Sequence, residues 1–120
     1  MSDANLRKFM VFYLIPLETM NDWKKVDPQF RQASEEKMRQ EWAAWMQAHT
    51  SMILSTEVGG KTKSVIANGV TDMRNDIILF SLVQGESHDA VANMFQNHPH
   101  LQIPNASIQV MEVMPMGPMQ

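Results

Sequence analysis

The sequence predicts an α+β fold built on an antiparallel sheet, and three observations carry that prediction. Residues 8–15 (KFMVFYLI) and 77–83 (IILFSLV) are short apolar runs rich in aromatic and β-branched residues, as expected of strands covered on both faces. Two other stretches place apolar residues at helical spacing, and each follows one of those kinds of strand. Between them lies a short segment with an Asn68-Gly69 hairpin signal.

Residues 8–15 read as the first strand, ended by Pro16, with Phe9, Val11, Tyr13 and Ile15 on one face and Met10, Phe12 and Leu14 on the other. Residues 17–26 form a polar connection holding Trp23. Asp27-Pro28 is a helix start, Asp as cap and Pro at the first position, with a second start available at Ser34. In that helix Met38, Trp42, Trp45, Met46 and His49 fall on one stripe, which leaves Glu35, Glu36, Lys37, Arg39, Gln40 and Glu41 mostly to solvent.

Residues 52–58 (MILSTEV) read as a strand broken by Gly59-Gly60, residues 63–67 as a short hairpin strand, and residues 71–76 as a polar segment before the strand at 77–83. Ser87 caps the second helix, with Asp89 near its positive end and Val91, Met94, Phe95 and His98 on its apolar face. Pro99 stops that helix. Residues 101–106 form a loop around Pro104 and Asn105, and residues 107–114 (SIQVMEVM) are the last strand.

The resulting order is strand, helix, strand, hairpin insertion, strand, helix, strand, the split β-α-β pattern of ferredoxin-like folds. Two helices cover only one face of a four-stranded sheet. The first and third long strands are apolar on both faces, so the open face calls for a partner, and a homodimer joined sheet against sheet is expected.

The chain has 120 residues, which is about one domain, residues 1–120, with residues 1–7 and 115–120 as flexible ends. A net charge of −3 without a basic stripe argues against nucleic acid as a partner. Cysteine is absent, which removes disulfides and thiolate chemistry. No apolar run approaches the length of a membrane span or a signal peptide, so no membrane partner is expected and the cytoplasm is the expected compartment. Twelve methionines serve as core and interface filler, while Met114, Met116 and Met119 sit in a frayed tail.

Taken together, EWAAWMQAH on the first helix, the Gly59-Gly60 break, GVTD at 69–72, ESHDAVANMFQNHPHL and the closing SIQVMEVMPM resemble the YCII-related proteins, in particular the DGPF-like branch. The resemblance runs from Lys8 to about Met116. It implies a ferredoxin-like protomer paired into a dimeric α+β barrel, a small organic ligand and, in a minority of members, lyase or dehydrochlorinase activity through a His-Asp pair. Of the branch's Asp-Gly-Pro-Phe signature only Asp72 is kept, since Met73, Arg74 and Asn75 follow it. Where the enzyme-like members carry a histidine in the first helix, this chain has Glu36, Lys37, Met38 and Arg39.

His98 and His49, each at a helix end on an apolar face, are the candidate acid/base residues, against the plainer reading that they satisfy backbone groups. His98-Pro99-His100 has a spacing compatible with metal ligation if a third ligand converges, but no metal centre and no cofactor motif is expected. His88 falls on the surface. Trp42 and Trp45 wall a pocket for a flat ligand or fill the core. Asp72, His100 and Glu112 complete the ligand-binding candidates, with Asp72 otherwise a turn former and Glu112 either at the sheet margin or inside the barrel. Two functions follow: a dimeric binder of a small organic molecule, in a cleft between helices and sheet, with turnover through a histidine, or a non-catalytic dimerisation or ligand-sensing module.

Overall fold

In the computed structural model, which describes residues 6–117, four strands form one antiparallel sheet. They are β1 (Arg7–Leu14), β2 (Ile53–Val58), β5 (Ile77–Gly85) and β6 (Ser107–Glu112), in the order β2-β5-β1-β6. That order, with helices on one side, is the ferredoxin-like arrangement expected from the element sequence. The two strands apolar on both faces, β1 and β5, are the central pair. Strands β3 (Thr62–Ile66) and β4 (Gly69–Met73) make a separate two-stranded hairpin.

Alternation along β1 and β5 sorts the side chains between two environments. Phe9, Val11, Tyr13, Ser81 and Val83 are buried on the face under the helices, where Val91 and Phe95 close the core. On the other face Met10 lies opposite Leu82 and Met111, and Phe12 lies opposite Phe80. Among the described residues no helix covers that face, and its apolar residues stay partly exposed.

Among the described residues the other elements are α1 (Leu17–Lys24), α2 (Pro28–Ala48), α3 (His88–Met94) and the 3-10 helix Pro99–Gln102. Helix α2 starts as expected, with the Asp27 carboxylate accepting from the backbone N–H groups of Gln29 and Phe30 and Pro28 at the first position. Ser34 lies inside it and starts nothing. Met38, Trp42, Trp45, Met46 and His49 form its half-buried stripe, joined by Glu41. The cap of α3 is also as expected, with Ser87 Oγ accepting from Ala90 N–H at 3.1 Å.

Several boundaries differ from the sequence reading. Residues 17–24 are the helix α1 rather than a polar connection, with Glu18 in its first turn and Lys24 in its last to suit the dipole. Helix α3 ends at Met94, one turn before His98, because a residue preceding proline is pushed out of the helical region. His98 is accordingly extended, with φ −66° and ψ 140°, and it caps the 3-10 helix that begins the expected 101–106 loop.

The hairpin turn is formed by Ala67 and Asn68, and Gly69, at φ 151°, already opens β4. Strand β4 therefore runs through Thr71 and Asp72 to Met73, inside the expected polar segment. Strand β6 stops at Glu112, two residues short of the expected end. At the ends, Arg7 belongs to β1 and residues 115–117 have no regular structure. Residues 1–5 and 118–120, including Met119, lie outside the described residues.

One glycine is required by a close approach. A Cβ on Gly85 would stand 2.3 Å from Val91 Cγ2, so α3 can rest on β5 only because residue 85 lacks one. That contact sets α3 against the sheet.

Candidate functional site

Under the helices, where α2 and α3 converge on β1, the chain gathers an aromatic and imidazole cluster. Trp42 and Trp45, one turn apart on α2, meet the His98 ring edge to face at centroid distances of 4.3 and 4.5 Å. Tyr13 of β1 lies 5.4 Å from His98, 5.6 Å from His100, 5.0 Å from Trp42 and 6.2 Å from Phe95. His49, at the end of α2, stacks on Trp45 at 4.1 Å. Three of the four histidines therefore share one region.

Their hydrogen bonds decide what each ring can do. His98 Nδ1 accepts the backbone N–H of His100 at 3.0 Å, so in the neutral ring the hydrogen sits on Nε2. That Nε2 is buried and has no hydrogen-bond partner among the described residues. His100 Nε2–H donates to the Leu14 carbonyl at 3.0 Å, and His49 Nδ1–H donates to the Trp45 carbonyl at 2.7 Å. His98 and His100 are each only 1% exposed.

Burial, with the neighbouring His100 and His49 adding repulsion, pushes the His98 imidazole down to about 3. Burial also lowers His100, although its backbone bonds to Leu14 and Ser107 act the other way. His98 is thus a neutral hydrogen-bond donor rather than a poised base. The neighbouring Tyr13 hydroxyl is held up by burial, against the bond it shares with Ser81. From it a chain of hydroxyls runs Tyr13–Ser81 at 2.9 Å and Ser81–Thr56 at 2.7 Å, under the sheet.

The remaining sequence candidates lie elsewhere. Asp72 is on the exposed β4 and pairs with Lys63 across the hairpin, so it is no turn former and stands apart from the histidines. Glu112, at the end of β6, pairs with Arg7 at 3.6 Å on the sheet margin. His88 is on the surface, yet its ring stacks on Phe9 at 5.5 Å and Nε2–H donates to the Val110 carbonyl at 2.8 Å. Among the described residues no three His, Asp or Glu side chains gather at metal-binding distance, which leaves His98 and His100 without a third ligand.

Two concavities flank the cluster, and neither is lined by His98. A shallow one of about 310 Å³ lies between α3 and β6, along Phe95, Ile108 and Val110. The larger, about 690 Å³, opens where α1, α2 and the segment after the 3-10 helix meet beside Ile15 at the end of β1. Met20, Trp23, Met38, Ile103 and Pro104 give it apolar walls, with Glu41 and Gln102 among its polar residues. Gln102 Nε2–H donates to Glu41 Oε1 at 3.1 Å and ties the loop to α2. Trp23 Nε1–H donates to Glu35 Oε2 at 2.8 Å and ties α1 to α2 in the same way.

Sequence reasoning missed this cleft because it depends on α1. The one available signal was the amphipathic placement of Met20 and Trp23 between Glu18 and Lys24, in a stretch read as a connection.

No protein-family model matches the chain, and no curated protein matches it. Among solved structures the chain is similar to 5-chloro-2-hydroxyhydroquinone dehydrochlorinase (TftG) from Burkholderia phenoliruptrix AC1100, solved with 2,5-dihydroxybenzoquinone. The TM-score is 0.45 and the identity 14%, over 85% of this chain and 90% of that one. No residue role or substrate passes from that protein to this chain on such a likeness. No helix among the described residues is long and apolar enough to cross a membrane.

Proposed function

We propose that this chain is a homodimeric small-molecule-binding protein of the YCII-related, DGPF-like kind, working in the cytoplasm, with its ligand in the cleft between α1, α2 and the loop after the 3-10 helix. The observation that carries the reading is the cleft itself. At about 690 Å³ it lies within the range of small-molecule sites, and its mainly apolar walls carry a few polar groups held in place by Trp23–Glu35 and Gln102–Glu41. The dimer is inferred from the open sheet face, where Met10, Phe12, Phe80, Leu82 and Met111 form an apolar surface without a covering layer.

Methionine methyl signals test the cleft directly. Met20 and Met38 line it, while Met10 and Met111 lie on the open sheet face. A fragment screen on the full chain should yield compounds that shift the Met20 and Met38 methyl resonances and leave Met10 and Met111 in place. A Met38→Trp substitution, which fills the cleft, should abolish those shifts. A screen in which no compound moves Met20 or Met38 would sink the reading.

A second reading, turnover through a histidine, has one observation in its favour. His98 Nε2 is a buried donor with no partner among the described residues, the kind of group that polarises a carbonyl oxygen when one is admitted. Its role there is donation in the neutral state, with Tyr13 beside it. If a substrate is found, His98→Asn should lower kcat by about 100-fold or more, the scale of one lost hydrogen bond to developing charge. Unchanged kcat in that variant would end the catalytic reading and leave the binding one.

A further inference from the structure

The cleft has an uneven charge balance. Asp22, Glu35 and Glu41 line it, against Lys37 as its one cationic lining residue among the described residues. Lys37 is spent on Glu41, 3.9 Å away, and Asp22 is paired at 3.9 Å with Lys25 outside the lining. Glu35 is different. Its carboxylate makes no ion pair among the described residues, and only the Trp23 indole N–H approaches it.

An uncompensated carboxylate offers a cation a charge-assisted hydrogen bond, and the Trp23 N–H edge holds that carboxylate in place. The same carboxylate repels an anion, and a neutral hydroxyl can donate to it but brings no charge of its own. Behind this polar mouth, Met20, Met38 and Ile103 offer an apolar bed suited to a hydrocarbon or aromatic body. We infer that the cleft selects an apolar organic cation, its ammonium group against Glu35 and its body between α1, α2 and Ile103. This rests on the cleft being the ligand site, and it adds the chemical class of the ligand.

Three matched probes separate the possibilities: phenylpropylammonium, phenylpropanol and phenylpropanoate, which share one body and differ in charge. Each is titrated into the full chain and followed at the Met20 and Met38 methyl signals. The ammonium should bind up to about fivefold more tightly than the alcohol, the scale of an ion pair at an exposed carboxylate, and the carboxylate most weakly. Glu35→Gln should remove that preference and leave alcohol binding little changed, because the glutamine amide oxygen can accept both the Trp23 N–H and the alcohol O–H.

Alcohol or carboxylate binding as tightly as the ammonium, with Met20 and Met38 still responding, would overturn the cation inference and leave the cleft intact. A preference that survives Glu35→Gln would overturn it equally. Silence at both methionines for all three probes would remove the ligand site itself, and the inference with it.

Discussion

The backbone N–H of His100 donates to Nδ1 of His98 at 3.0 Å, and this one bond determines which nitrogen of His98 carries the hydrogen. The 3-10 helix at Pro99–Gln102 makes the bond possible, because His98 caps it with a ring nitrogen where most caps use an oxygen. The ring is left with a hydrogen on Nε2, among aromatic rings and away from solvent.

The imidazole nitrogen spectrum should therefore show His98 as the Nε2–H tautomer. Its signals should hold constant from about pH 8 down to about pH 5, since its pKa lies near 3, far below the ordinary 6.5. A His98 that titrates near neutrality would contradict the buried, neutral assignment.

Stability should fall in acid for the same reason. The unfolded chain takes up a proton on His98 below about pH 6.5 while the folded chain resists until about 3, so protons favour the unfolded state across that window. Above about pH 6.5 the contribution is complete, and it declines as pH falls toward 3 at up to about 1.4 kcal/mol per pH unit. His100, lowered too, adds a loss of the same sign. Denaturant midpoints across this range should show a shallower decline in His98→Asn, which keeps an acceptor for the His100 N–H but does not titrate.

The buried hydroxyl chain makes an ordering prediction. Tyr13→Phe removes one end and leaves Ser81 bonded to Thr56, at a cost of about 1 kcal/mol. Ser81→Ala strands the buried Tyr13 hydroxyl without its partner and should cost more, about 1–3 kcal/mol. Equilibrium unfolding of the two variants checks the order, and a reversed order would mean that Tyr13 has another acceptor.

Gly85→Ala should destabilise by about 1–3 kcal/mol, because its new Cβ would press on Val91 Cγ2 and α3 would have to lift. A compensating Val91→Ala change should recover part of that loss in a double-mutant cycle. Additive losses would show that the two positions are not in contact.

The proposed dimer is tested by charge. Phe80→Glu puts a carboxylate in the middle of the open apolar face, opposite Phe12, and should give a monomer by sedimentation at micromolar concentration while the wild-type chain sediments as a dimer. A monomeric wild-type chain under the same conditions would remove the sheet-to-sheet pairing.

How far the sequence could be read depended on the range over which each signal acts. The strands at β1 and β5, the Asp27-Pro28 start and the Ser87 cap were legible because pattern and cap chemistry are local, within a few residues. Trp42 could be placed on an inward face for the same reason, whereas His98 is buried from an extended residue outside α3 and not by the helical phase that pointed it inward. Three features were not legible. Helix α1 has Pro16 at its N-cap and no side-chain cap bond, so no start signal marks it. The early end of α3 turned on the residue before Pro99 leaving the helical region, a local effect that the regular spacing of Val91, Met94, Phe95 and His98 concealed. The cleft joins Met20 to Ile103 across the whole chain, and nothing in either neighbourhood points to the other.

The sheet order sets the timetable on which this chain can be completed during synthesis. Strand β1 is made first, yet both of its neighbours, β5 and β6, come only after residue 76. Its run of Phe9, Met10, Val11, Phe12 and Tyr13 therefore waits unpaired, while α1, α2 and the hairpin can already form from contacts close in sequence. A nascent chain stalled before residue 77 would present that strand, without its β5 partner, to anything able to pair with it.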